Sequence, residues 1–268
     1  MSIPAVTYAR PPVIERAAAV FVSVDEDTYE TNFPAWRKLV EEEFPVYEPV
    51  TEWLINFEPK EGKATIDPLK TELRITPRFS KRKMIEGFEW SIRCPRESLI
   101  INMESKPGTP SQYNDLRSRF SSWLSRWVQH FKVEDLRRVN LHYVNLLNPQ
   151  TIPELLTPQP GIPLDKILNV FVGFPGRHRA MIPPLNCQVT FQLEDREDAV
   201  VQIILASAPN FQPQPAVRLD LVVETSITKT NSVDEILDTL DWCHERIIEH
   251  FEAVFTDAAK QNFKPIHS

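Results

Sequence analysis

Two segments of this chain repeat apolar residues every three or four positions, and each stripe must be covered by another element. In residues 111–131 the repeat brings Tyr113, Leu116, Phe120, Trp123, Leu124, Trp127 and Phe131 onto one face, after Thr109-Pro110-Ser111, a cap residue with Pro just inside the first turn. In residues 232–256 an S-x-x-E capping box, Ser232-Val233-Asp234-Glu235, precedes Ile236, Leu237, Leu240, Cys243, Ile247, Phe251 and Val254 on one side. Two such amphipathic helices need a large apolar surface to lie on.

That surface is supplied by segments of period two. Leu73, Ile75 and Phe79 alternate with Glu72, Arg74 and Arg78, and Phe88, Trp90 and Ile92 alternate with Glu89, Ser91 and Arg93. Further along, Cys187, Val189, Phe191 and Leu193 alternate with Gln188, Thr190 and Gln192, and Val217, Leu219, Leu221 and Val223 with Arg218, Asp220 and Glu224. Each reads as a strand with one wet face. In order, the first half predicts a strand (14–24), a short helix (33–44), four strands (50–104) and the helix 111–131. The second predicts a strand (137–147), a short helix (163–172), three strands (184–226) and the helix 232–256. The expected fold is α+β: two similar halves, residues 1–133 and 134–268, packed as one unit, with the long helices on one face of an antiparallel sheet. The shared element order suggests an internal duplication, and the opposite sheet face is the expected working surface. The Pro-rich stretch 148–163 and the loop 173–176 read as ordered connections.

Composition removes several function classes. Only 6 of 268 residues are Gly, against 24 Pro, and no G-x-x-x-x-G-K-[ST], G-x-G-x-x-G or G-x-S-x-G occurs. A glycine-built phosphate cradle is therefore not expected, nor is any cofactor. A net charge of −7 argues against a surface built throughout to neutralise phosphates. Cys94, Cys187 and Cys243 lie far apart and read as buried free thiols of a reducing compartment. With no basic and apolar leader and no long apolar run, the expectation is a cytoplasmic protein with no membrane span. His244-Glu245-Arg246-Ile247-Ile248-Glu249-His250 misses the H-E-x-x-H spacing, since Ile248 stands where the second imidazole would be needed, so no metal is expected.

Two groups of residues remain as candidates. Residues 70–96 hold eight Lys/Arg against three acids. On a hairpin, Arg74, Arg78 and Arg93 would share the wet face with Lys81, Arg82 and Lys83 at its tip, and Arg177 and Arg179 could extend the stripe toward nucleic acid. Protection of a sheet edge is the other reading of the same charges. The second group surrounds Arg137-Arg138-Val139-Asn140-Leu141-His142-Tyr143-Val144-Asn145. There Asn145 falls on the apolar side with Tyr143 and needs a backbone partner, while Arg138, His142 and Asp220 could line a ligand or partner pocket. His244 and Glu245 form a polar edge of the last helix that could join it.

The residues Pro11-Pro12-Val13-Ile14-Glu15-Arg16-Ala17, Arg138 to Asn145, and His244-Glu245 through Phe251-Glu252 to Thr256-Asp257 resemble the three signatures of a sporadically distributed prokaryotic protein family of about this length. Its members have no established general activity. Asn140 and His142 stand where that family more often has Gly and Arg, so a site built on an arginine there is not carried over. Patchy distribution is the habit of defence and mobile-element cargo, which implies by analogy an accessory protein of an antiviral or CRISPR-associated system. Three functions are therefore carried forward. The first is non-catalytic binding of a protein partner encoded nearby, the second is nucleic-acid binding through the 70–96 stripe, and the third is an enzyme with a cryptic site around His142, Asp220 and His244.

Overall fold

The computed structural model describes residues 7–54, 57–60, 63–66, 72–80, 88–106, 109, 112–153, 164–169, 186–211 and 216–266. In chain order they form β1 (Thr7–Tyr8), β2 (Val13–Val22), α1 (Glu26–Glu43), β3 (Val46–Tyr47), β4 (Val50–Leu54), β5 (Phe57–Lys60), β6 (Lys63–Ile66), β7 (Glu72–Thr76), β8 (Arg78–Ser80), β9 (Phe88–Arg93) and β10 (Ser98–Ser105). There follow α2 (Tyr113–Phe131), β11 (Leu136–Leu147), α3 (Leu164–Ile167), β12 (Asn186–Gln192), β13 (Ala199–Ser207), β14 (Val217–Thr230), α4 (Val233–Val254), α5 (Asp257–Asn262) and β15 (Pro265–Ile266). The fold is α+β.

At its centre β2 pairs antiparallel with β11, from Val22 opposite Leu136 to Val13 opposite Asn145. Ala17, Ala18 and Ala19 are buried on both faces of this strand, where small side chains let layers approach closely. The main sheet has nine strands in the order β12-β13-β14-β11-β2-β10-β9-β8-β3. From the central pair, one half runs outward as β2-β10-β9-β8 and the other as β11-β14-β13-β12, so both follow the same path in opposite directions. β4 with β7 and β5 with β6 make two small ladders, and β1 with β15 joins the two ends of the described chain.

All the long helices lie on one face. α2 packs on β2 and β10, α4 on β11 and β14, and α1 against α2. One apolar core runs through both halves, with Trp36, Phe120, Trp123 and Trp127 meeting Leu99, Ile101, Leu141 and Leu221. Trp36 and Trp123 meet edge to face, centroids 5.6 Å apart, an arrangement favoured by the ring quadrupoles.

Local chemistry explains the helix ends. Ser232 caps α4 by accepting from Glu235 N at 3.3 Å, the role its capping box assigns. α1 starts at Glu26, seven residues before the expected 33, because Asp25 accepts from Thr28 N at 2.8 Å and Pro34 lies inside the helix on its exposed side. α2 starts at Tyr113, where Gln112 occupies the cap position without a side-chain hydrogen bond. It closes on Lys132 in the left-handed conformation at φ 51°, with its N–H on Val128 O. Among the described residues no helix is long and apolar enough to cross a membrane.

The second sheet face differs from the expected open working surface. Ala17, Ala19, Val144, Ser91 and Asn102 are buried there, and cross-strand pairs such as Asn102 Nδ2 donating to Glu15 Oε1 at 2.7 Å occupy its centre. β12 departs from the alternating reading as well. As the edge strand it is exposed along its whole length, with Val189 42% and Phe191 47% exposed. Cys187, expected to be buried, is exposed with it, while Cys94 and Cys243 are buried. Of the Pro-rich connection, residues 154–163 lie outside the described residues, as does the loop 173–176.

Candidate functional site

On the helix side of the sheet, a cavity of about 1040 Å³ opens where α2 begins and α4 passes over β11, with β2 alongside. Its floor comes from strand alternation. Arg16 of β2 and Tyr143 of β11 are register partners, so their side chains rise next to each other toward the helices. α4 adds Asp241, His244, Ile248 and Glu252, spaced three and four apart on the flank of its core stripe, and α2 adds Tyr113 and Arg117 one turn apart. Thr7 and Tyr8 of β1 and Ile266 of β15 complete the wall.

Most polar groups here are already engaged. Tyr143 Oη and His244 Nδ1 are hydrogen-bonded at 2.9 Å. The His244 ring stacks on Tyr113 with centroids 3.9 Å apart. Tyr113 Oη donates to Asp241 Oδ1 at 2.7 Å, and Arg117 Nε donates to both Asp241 oxygens at 2.7 and 2.9 Å. Burial would raise the Asp241 carboxyl, but these bonds hold it below its ordinary range. Tyr8 Oη donates to Glu252 Oε1 at 2.7 Å, and Lys260 Nζ stands 3.6 Å from Glu252 Oε2. Burial, then the charge of Arg16, lowers the His244 imidazole to about 4, so it is neutral near pH 7.

Arg16 is less fully engaged: its guanidinium bonds the Tyr143 hydroxyl but pairs with no acid among the described residues. It is 8% exposed, its guanidinium carbon lies 4.8 Å from the centroid of the Tyr143 ring, and its Nε has no hydrogen-bond partner. Among the described residues no carboxylate forms an ion pair with it. A buried charge without a counterion costs several kcal/mol, only partly offset by an aromatic face.

The sequence candidates divide between the two sides of the sheet. His244 and Glu245 line the cavity. His142, next to Tyr143 in a strand, points to the other face, where its Nε2 is 3.1 Å from Asp220 Oδ2 in poor hydrogen-bond alignment. Arg218 grips Asp220 with two bonds of 2.6 Å. Burial would raise the Asp220 carboxyl, but His142 and Arg218 hold it below its ordinary range. Arg138 forms a separate cluster, donating to Glu224 Oε1 at 3.1 Å beside Asn140 and lying 4.0 Å over the Phe21 ring. The expected pocket of Arg138, His142 and Asp220 is thus two ion-pair clusters, and the sheet separates both from His244. Asn145 is fully buried and donates through Nδ2 to Leu219 O at 3.1 Å.

Of the basic stripe, Arg74, Arg78 and Arg93 lie among the described residues. Arg78 and Arg93 are register partners across β8 and β9, and Arg78 Nη2 reaches Glu104 Oε1 at 3.2 Å. Arg74 belongs to a different ladder, opposite Glu52 across β7 and β4, and so does not share the hairpin expected for it. Lys81, Arg82, Lys83, Arg177 and Arg179 lie outside the described residues. His250 turns back onto its own helix, with Nδ1 2.7 Å from Arg246 O. Among the described residues no three His, Cys, Asp or Glu side chains gather as metal ligands.

Sequence reasoning passed over Arg16, Tyr113, Tyr8, Arg117 and Asp241. Arg16 alone carried a signal. Glu15 and Arg16 are consecutive charges in a strand otherwise of Val, Ile, Ala and Phe, so one of the two has to face the helices. The three segments quoted for the family resemblance converge on the cavity: Val13 and Arg16 from the first, Tyr143 from the second, and His244, Glu245, Phe251 and Glu252 from the third. Compared with protein-family models, curated proteins and solved structures, the chain matches none, so the resemblance rests on those segments alone.

Proposed function

We propose that this chain is a non-catalytic binding protein whose ligand enters the cavity between α2 and α4. The observation that carries the reading is a cavity of about 1040 Å³, walled by Tyr8, Tyr113, Tyr143 and Phe251, around a buried cation, Arg16, that has no counterion among the described residues. A drug-sized molecule needs a concave, mostly apolar space of roughly 300–1,000 Å³ with a few convergent polar groups, and this cavity is of that class.

Binding is favoured over catalysis by the state of the side chains. The imidazole Nδ1 of His244 is bound to Tyr143, and a pKa of about 4 leaves it neutral near pH 7, without the acidic second proton a general acid would give up. Asp241 and Glu252 are each held by a tyrosine and a cation. A guanidinium remains, which recognises anions and does not exchange protons.

The test is to purify the protein, denature it, and quantify released small molecules by mass spectrometry, beside Ile248→Trp, in which an indole fills the cavity. The expected result is an organic molecule near one per chain in the native protein and none in Ile248→Trp. Equal contents, or an empty native protein, would count against the reading.

A further inference from the structure

We infer that the cavity seats a carboxylate on Arg16, with the apolar or aromatic body of the same molecule against the tyrosine rings. This deepens the binding reading and rests on it. Three observations lead there. The first is Arg16 itself: the residue is more than nine-tenths buried, it lines the cavity, and among the described residues its Nε has no partner and its guanidinium meets the Tyr143 ring and hydroxyl but no carboxylate. A planar fork of donors matches a carboxylate in two parallel hydrogen bonds.

The second is the start of α2. Gln112, Tyr113 and Asn114 all line the cavity, and the Gln112 side chain makes no capping bond. The positive end of a 19-residue helix therefore adds to the charge of Arg16 on the same space. Asp115 is the acid in that first turn and does not line the cavity.

The third is the charge around the seat. Asp241 is joined to Arg117 and Tyr113, Glu252 to Tyr8 and Lys260, and Glu245 stands exposed at the rim 3.8 Å from Arg246. Among the described residues one cation, Arg16, is left over, so one negative charge completes the site. A dianion would meet a single free cation inside a rim of three acids, which disfavours phosphate esters. The volume is far larger than a lone carboxylate needs, and the rings of Tyr8, Tyr113, Tyr143 and Phe251 supply an apolar wall for the remainder of the ligand.

Two sources supply this chemistry, a small organic acid and the C-terminus of a peptide. Titration calorimetry separates them with 4-phenylbutyrate and N-acetyl-Gly-Gly-Phe as acids, each beside its neutral counterpart, 4-phenylbutanol or the peptide amide, and with phenyl phosphate. The expected result is that at least one acid binds tenfold or more tighter than its neutral counterpart. That preference is lost in Arg16→Met and largely kept in Arg16→Lys, with both variants checked for cooperative unfolding. The acid that binds tighter identifies the source, and either one supports the inference. Equal binding of acid and neutral probe, or a preference that survives Arg16→Met, would overturn the carboxylate seat. If Ile248→Trp still releases no ligand in that case, the cavity reading stands. Phenyl phosphate binding tighter than both acids would overturn the choice of carboxylate, and no probe binding at all would overturn the inference.

Discussion

His244 is a histidine kept from acting like one. Arg16, Tyr143, Tyr113, Asp241, Arg117, Glu245, Tyr8 and Glu252 are the titratable and charged groups around the cavity it shares, and burial with the Arg16 charge outweighs Asp241 in setting its pKa near 4. An unfolded imidazole titrates near 6.5, so between these values the unfolded chain holds the extra proton. The stabilising contribution is therefore complete above pH 6.5 and is lost as pH falls toward 4. Denaturant unfolding of the wild type and His244→Gln should show their difference shrinking by about 3 kcal/mol between pH 7 and 4. A difference that stays flat would refute the neutral imidazole. At this scale the sequence was half legible. His244 and Glu245 stood out as a polar edge, but Tyr113 and Tyr143 read as apolar stripe residues, because nothing in a 3.6 or 2 period distinguishes a tyrosine that packs from one that also bonds through its hydroxyl.

Among elements, α4 has the most independent local support. Ser232 closes its first turn and Asp234 and Glu235 sit at the positive end of its dipole. Ser232→Ala should lower the unfolding free energy by about 1 kcal/mol, with Ser232→Asp recovering most of it, both read from urea midpoints at constant slope. An unchanged midpoint in the alanine variant would show that packing alone holds the helix end. Caps and long stripes are legible because they are local. α1 begins before the expected 33: Pro34 lies mid-helix on the exposed side, and Asp25 supplies the start. β12 shows a different limit: alternation describes two faces but not whether another layer covers either of them, and at a sheet edge neither is covered. β1 and β15, at two residues each, are too short to carry any period, yet they wall the candidate site.

For the whole molecule the β2–β11 pairing is decisive. The main core is one cluster drawn from both halves, with a small second one of Ile14, Val144, Leu146, Ala208 and Ala216, and α2 touches α4 across them. Urea unfolding should therefore follow a single transition by circular dichroism and tryptophan fluorescence alike, and residues 1–133 alone should show none; two separated transitions would mean that the halves are independent folding units. The α+β class was readable from element order, but the strand order was not, because the central neighbours come from opposite halves and their pairing is decided by side chains on both. That pairing also sets a schedule for synthesis. The inner edge of β2, with its run of three alanines, is complete after Val22, but the strand that covers it ends at Leu147. At roughly 5–20 residues per second, the ribosome leaves that edge open for on the order of ten seconds. During this interval the nascent chain carries a row of backbone donors and acceptors on β2 whose final partners have not yet been made.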